Sequence, residues 1–145
     1  MLVEQDTVKL LRECDAGVKM GVASIRDVLN YVDANDLRQR LADCLSQHEK
    51  LGDEIKNLLD RYHDSGKNPN PMAKSMSWVK TNAMLAVKES DATIADLMTD
   101  GCNMGVKSLH KYLNQYKAAD ETSKDITKRL INLEEKLTVD IRSFL

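Results

Sequence analysis

An internal repeat constrains the fold of this chain more than any other feature of its sequence. The nine residues "GVKMGVASI", from Gly17 to Ile25, return as "GCNMGVKSL" from Gly101 to Leu109. Seven of the fourteen positions from 17 to 30 are identical 84 residues later. About one identity is expected from ordinary residue frequencies. The segments 48–59 and 134–145 also match, at an offset of 86. We therefore expect two copies of one structural unit.

Each copy has the apolar spacing of two amphipathic helices. Apolar residues recur at intervals of three and four, which is the period of one helix face. The pattern runs through four segments, 8–32, 37–58, 92–116 and 130–144, with polar residues at a few inward positions, among them Asp15, His48 and Glu134. Turn and N-cap residues lie at 33–36 and 118–120. Two helical hairpins in tandem are the predicted architecture.

The connection between the two copies is long. Gly66, Pro69 and Pro71 interrupt the helical pattern, and a short amphipathic helix is predicted to begin at Pro71. We expect a single domain with one hairpin at about 4–62, a crossover at 63–90 and a second hairpin at about 91–145. Two related hairpins joined by a long crossover indicate an all-α, ferritin-like four-helix bundle.

Several short motifs resemble those of a known group of proteins. They are "CDAG" in the first helix, Trp78 and Lys80 in the crossover, "DATI" at the start of the third helix, and the repeated G-x-x-x-G. Together they resemble an uncharacterised family of bacterial four-helix bundles in the rubrerythrin and ferritin-like superfamily. The resemblance covers roughly residues 4–145 and implies a bundle with a metal layer near its middle.

The predicted metal layer departs from the ferritin-like pattern. Residues at equal distance from an antiparallel turn lie at the same height, which predicts a mid-bundle layer of Val18, His48, Cys102 and Glu134, with Asp15 and Thr99 about one turn away. A di-iron site needs a Glu from each of two helices and a Glu-x-x-His from each of the other two. Too few carboxylates remain here to balance two iron ions, so a di-iron oxidase is the least favoured function.

Two interpretations of this layer stay open. In the first, His48 and Glu134 form a buried polar pair, Cys102 packs in the core, and the protein holds no resident cofactor. In the second, His48, Cys102 and Glu134, with Asp15, hold zinc or iron for storage or sensing. The structural pair is the favoured interpretation, because the candidate ligands lack the local spacing of a metal motif.

The remaining polar motifs have structural explanations. Cys14, Cys44 and Cys102 form no C-x-x-C pair, and no cation near them in the sequence is an obvious partner for a thiolate, so nucleophilic catalysis is not expected. The repeated glycines lie inside helices and do not follow strands. They are expected to permit close approach of helices and not to bind phosphate.

Charge and composition narrow the possible partners. The net charge of −2 and the isoelectric point near 5.9 give no electrostatic footprint for nucleic acid. No long apolar run and no signal peptide are present, so we expect a cytoplasmic protein that does not enter membranes. The favoured function is that of a non-enzymatic bundle that forms a homodimer or binds a protein partner. The Met-rich crossover around Trp78 (Met72, Met76 and Met84) either forms such a surface or covers the bundle.

Overall fold

A computed structural model describes residues 2–69 and 90–145 of the chain. Within these residues the secondary structure is helical and contains no strand, which confirms the expected all-α class. The helices are α1 (Leu2–Leu29), α2 (Asn35–Arg61), α3 (Asp91–Gln115) and α4 (Glu121–Asp140), and a 3₁₀ turn (Arg142–Phe144) follows α4. The predicted helix from Pro71, together with Trp78, Lys80 and the Met cluster, lies outside the described residues.

The core contains the apolar faces that the sequence pattern predicts. All four helices contribute to one cluster, in which α1 packs chiefly on α2 and α3 chiefly on α4. The largest apolar side chains below 2% exposure are Leu10, Leu11, Ile25, Leu37, Leu41, Ile55, Leu59, Ile94, Ile126, Leu130 and Ile141. Burial of this apolar surface provides most of the stabilisation of the fold.

Two helices begin with a side-chain cap. Ser90 accepts a hydrogen bond from the backbone N–H of Thr93, and Asp120 accepts one from Ser123, so the predicted cap at the second loop is confirmed. The N-cap residue of α2 is Ala34, which carries no acceptor in its side chain. The cap predicted within 33–36 is therefore absent, and this loop is held in another way.

Each hairpin loop is held by the beginning of the other hairpin. The carboxylate of Asp91, at the start of α3, accepts hydrogen bonds from the backbone N–H groups of Asp33 and Ala34 at 2.9 Å each. In return, Asp6 accepts from the N–H of Ala118 at 3.0 Å, and the hydroxyl of Thr7 accepts from the N–H of Asp120 at 2.8 Å. Because exposed loop N–H groups need partners, these reciprocal bonds join the hairpins at both ends of the bundle.

The segment that follows α2 packs against α1. Arg12 donates to Asp64 at 2.7 Å, and the backbone N–H of Lys67 donates to Asp15 at 2.9 Å. The end of α2 therefore lies beside the first half of α1, whereas α3 begins beside the loop that follows α1. Among the described residues, no helix combines the length and the apolar character needed to cross a membrane.

Candidate functional site

His48 and Glu134 face each other in the middle of the bundle, as the sequence predicts. The imidazole Nε2 of His48 lies 4.0 Å from Oε1 of Glu134, and the two side chains are 2% and 10% exposed. This separation allows an ion pair but is too long for a hydrogen bond. Among the described residues, Nε2 of His48 and Oε2 of Glu134 have no hydrogen-bond partner. The two groups therefore interact mainly through charge.

The other ring nitrogen fixes the protonation of the imidazole. Nδ1 of His48 lies 2.9 Å from the carbonyl oxygen of Cys44, one helical turn earlier. A carbonyl oxygen can only accept, so Nδ1 carries a hydrogen and donates it. Nε2 is consequently the position at which His48 gains or loses a proton, and it faces Glu134. The pair can thus hold one proton between two buried groups.

The pKa values of both His48 and Glu134 are raised, so both groups favour the protonated form. Burial acts to lower the pKa of His48, but contacts with Cys44 and Glu134 outweigh burial and raise the pKa to about 10. Burial raises the pKa of Glu134, and His48 opposes that rise. An imidazolium facing a carboxylate neutralises the pair, whereas either charge alone in the core would be costly.

The second glycine of each repeat makes room for this pair. A methyl group added at Gly21 would lie 2.7 Å from Nε2 of His48, and one at Gly105 would overlap the carboxylate of Glu134. These glycines therefore accept a polar side chain from the neighbouring helix, and the expected backbone approach is not their main role. Gly101 differs, because nothing lies within 4 Å of an added methyl group there.

The glycine contacts also correct the predicted height of the layer. His48 lies against Gly21 and not level with Val18, which contacts the position of Gly52 instead. Glu134 likewise lies against Gly105, one turn beyond Cys102. In both hairpins, His48 and Glu134 therefore face a residue three positions later than the one predicted from the sequence.

Asp15 has a different role from the one its candidate assignment implies. Its carboxylate is buried, accepts from the backbone N–H of Lys67, and pairs with Lys19 at 2.7 Å. Gly66, with a φ of +87°, passes so close that a side chain there would overlap Asp15. The structure thus uses Asp15 to hold the segment after α2 against α1, and does not direct it toward His48 and Glu134.

Cys102 and Cys14 are buried thiols with little tendency to ionise. Burial raises the pKa of Cys102, and the nearby charge of Glu134 adds to the effect. Burial also raises the pKa of Cys14 to about 12, despite the contact of its sulfur with the Thr127 hydroxyl at 3.2 Å. Cys102 is therefore close enough to Glu134 to feel its charge, and both thiols behave as core side chains.

Cys44 has a partner that was not among the contacts predicted from the sequence. Its Sγ lies 3.4 Å from Nδ1 of His48, four residues later on α2. Residues separated by four face each other along a helix, so the spacing alone could have identified this contact. Of the three cysteines, Cys44 is therefore the one that contacts an imidazole among the described residues.

The described residues do not fit a di-iron centre. In the ranges 2–69 and 90–145, no three His, Cys, Asp or Glu side chains come close enough together to hold a metal ion. The facing pair offers one imidazole and one carboxylate, and a ferritin-like di-iron site draws its ligands from several carboxylates. Its buried orphan atoms, Nε2 and Oε2, have unused coordinating capacity, and among the described residues so does the buried hydroxyl oxygen of Thr99.

Comparison of the chain with protein-family models, curated proteins and solved structures finds no match. The candidate site is therefore interpreted from its own geometry.

Proposed function

We propose that this protein is a ferritin-like bundle that no longer performs di-iron chemistry and acts through its surface. The path of the chain supports the ferritin-like part of the proposal. Asp64, after α2, lies beside Arg12, whereas Asp91, at the start of α3, lies beside the α1–α2 loop. The first hairpin therefore ends, and the second begins, at opposite ends of the bundle, which supports a long crossover between them.

The facing pair supports the loss of metal chemistry. His48 and Glu134 are equivalent positions of the two repeats, and each fits against the equivalent glycine, Gly21 or Gly105. An imidazolium and a carboxylate neutralise each other at this point without a cation. We interpret the pair as the relict of a metal layer, now used to fill the centre of the bundle with a matched pair of charges.

A difference between the two repeats supports action through the surface, and it is the observation that carries the proposal. In α1, the repeated residues Gly17, Met20 and Ser24 are half-buried. In α3, the equivalent residues, Gly101, Met104 and Ser108, are exposed, and Met104 is 71% exposed. We call these three residues of α3 the outer face. The outer face thus exposes Met104, whereas the equivalent Met20 of α1 is half-buried. An exposed apolar residue of this kind is typical of a surface that self-associates or binds a protein partner.

Light scattering of the purified protein over a range of concentrations tests this proposal. We expect the mean mass to rise with concentration, and Met104→Glu to hold the protein at the mass of one chain. Val139→Glu is the matched control, because Val139 is also exposed, at 56%, but lies on α4. A mass equal to one chain at all concentrations would exclude self-association and leave binding of a different protein as the proposed role of the outer face. A loss of association with Val139→Glu alone would contradict the assignment to the outer face.

Metal binding is the second candidate function, and the orphan atoms of the pair favour it. His48 Nε2 and Glu134 Oε2 are buried atoms of types that bind metals, and they have no hydrogen-bond partners among the described residues. Zinc accepts imidazole and carboxylate ligands and can complete its shell with water. Cys102, the third ligand that the sequence suggests, does not join His48 and Glu134 in a cluster of three among the described residues, so water would have to complete the shell.

Elemental analysis combined with melting curves separates the two candidates. Metal bound only to the folded state stabilises it by mass action, so chelation would lower the melting temperature. The relict interpretation predicts protein without stoichiometric zinc or iron and a melting temperature that chelation does not change. Stoichiometric metal that is lost in His48→Ala would instead establish the metal-binding function.

A further inference from the structure

A small cleft between α2 and α4 reaches Cys44. Its volume is about 30 Å³, and its buried lining includes Cys44, Leu133 and Leu137. Its exposed rim carries charges of both signs, including Arg40 and Asp43. A cavity needs a volume of roughly 10–15 Å³ to hold one water molecule, so the cleft admits a molecule of about two non-hydrogen atoms. Its mixed charges and apolar floor suit a small neutral molecule.

Cys44, which lines the cleft, is in contact with the imidazole of His48 behind it. Nδ1 of His48 carries a hydrogen, because it donates to the Cys44 carbonyl oxygen, and the same N–H lies 3.4 Å from Sγ. On its far side, His48 faces the Glu134 carboxylate, which favours the charged imidazolium. An imidazolium beside a thiol stabilises the thiolate, the nucleophilic form of cysteine. Carboxylate, imidazole and thiol thus form a chain that ends at the cleft.

Cys14 and Cys102 provide an internal comparison. Both are as buried as Cys44, but neither lines the cleft and neither contacts a basic side chain among the described residues. Their pKa values are raised by burial. Reactivity in the three thiols should therefore follow the contact with His48 and the cleft, because the depth of burial is similar.

We propose that Cys44 is a modification site at which a small neutral peroxide, such as hydrogen peroxide, oxidises the thiol to a sulfenic acid. The sulfur attacks one peroxide oxygen, and the S–O bond forms as the O–O bond breaks. The hydroxide that leaves takes up the proton that the thiol has lost. One thiol and one hydrogen peroxide give one sulfenic acid and one water, and two electrons pass from sulfur to oxygen. His48 stabilises the attacking thiolate, and Glu134 acts as a positioning residue for His48.

The test treats the reduced, full-length protein with hydrogen peroxide in the presence of dimedone, which traps sulfenic acids. Trypsin places the three cysteines on different peptides, so mass spectrometry follows each one separately. We expect Cys44 to be labelled at least roughly tenfold faster than Cys14 and Cys102, and His48→Gln to remove this advantage. Equal rates for the three cysteines, or labelling of Cys44 only after denaturation, would overturn the proposal.

A second pair of variants tests the route without disturbing the core. Gln47 and Ser46 are adjacent exposed residues of α2, and Gln47 lines the cleft whereas Ser46 does not. Gln47→Trp should slow the labelling of Cys44 several-fold, and Ser46→Trp should leave it unchanged. A Cys44 rate that Gln47→Trp does not alter would show that the peroxide does not enter by this cleft. In every variant, the slow labelling of Cys14 and Cys102 reports that the fold is intact.

Discussion

His48 and Glu134 occupy equivalent positions in the two repeats, yet one is a base and the other an acid. Two identical ionisable residues facing each other in the core would repel or would need a bound ion to balance them. An imidazole opposite a carboxylate removes this requirement, because the charges compensate each other at 4.0 Å. A difference at one residue between the two repeats is therefore enough to balance the charge at the centre of the bundle without a bound ion.

The free energy of unfolding should fall as the pH rises above neutral. The unfolded chain has an ordinary His pKa near 6.5, whereas the folded chain holds the His48 proton up to a pKa of about 10. Unfolding above pH 6.5 thus releases a proton. The stabilisation is fully present below pH 6.5 and is lost as the pH rises through 10. The raised pKa of Glu134 acts in the same sense from pH 4.5 upward.

Urea unfolding at pH 7 and pH 9 measures this effect. We expect the wild type to lose between about 2 and 3 kcal/mol over this interval of two pH units, because a protonation difference of one changes stability by about 1.4 kcal/mol per pH unit. His48→Gln should have a much flatter profile, although it is less stable at pH 7. Parallel profiles for the two proteins would show that His48 is not charged in the folded state.

Two of the repeated glycines, Gly21 and Gly101, should respond in opposite ways to the same substitution. Gly101→Ala should stabilise the protein by about 0.5–1 kcal/mol, because alanine favours a helix and the space at this position is open. Gly21→Ala should destabilise it by roughly 1–3 kcal/mol, because the added methyl group overlaps His48. Thermal or urea unfolding of both variants measures the contrast. The two substitutions having the same sign would contradict the contacts described for His48.

At the scale of elements, the hairpin loops depend on residues outside their own hairpins. The α1–α2 loop has no side-chain cap of its own at Ala34, and the carboxylate of Asp91 accepts hydrogen bonds from the N–H groups of Asp33 and Ala34. The α3–α4 loop has Asp120 as a local cap but still bonds to Asp6 and Thr7. The first loop should therefore be the more sensitive of the two to loss of its distant partner.

Asp91→Ala should destabilise the protein by about 1–2 kcal/mol, because it leaves two loop N–H groups without their charged acceptor. Hydrogen exchange monitored by NMR should show faster exchange at the amides of Asp33 and Ala34. The amides of Ala118 and Asp120 serve as the control and should keep their protection. Thr7→Val should instead speed exchange at the amide of Asp120 and leave the amides of Asp33 and Ala34 protected. Uniform loss of protection in both variants would mean that the loops are not held locally.

At the scale of the whole molecule, the features that can be predicted from the sequence are those set by a repeated or periodic pattern. Apolar spacing and the repeat predict the helices and the position of His48 opposite Glu134. The height of the layer is displaced by one turn, because the loop length does not define the centre of a turn to within a residue. The role of Asp15 depends on Lys67, which is 52 residues away, and no local pattern indicates such a pairing. The contact of Cys44 with His48 follows a simple helical spacing and was predictable.

The reciprocal loop bonds predict that the bundle unfolds as one unit. If each loop is closed by the other hairpin, neither hairpin can open fully without exposing N–H groups in both loops. Hydrogen exchange should therefore give similar opening free energies for the helix amides of α1 and α3, equal to the free energy of unfolding from urea. Protection that is clearly lower throughout one hairpin would show that the two hairpins open independently.

The same loop bonds have a consequence for the protein while the ribosome is still making it. Asp91 is synthesised 57 residues after Ala34, and Asp120 follows Thr7 by 113 residues. At about 5–20 residues per second, the first loop waits several seconds for its acceptor. The nascent α1–α2 hairpin therefore leaves the ribosome with an open turn and an uncovered apolar face. Its completion depends on translation of the second copy, so slow codons between the copies would prolong the interval in which chaperones can bind.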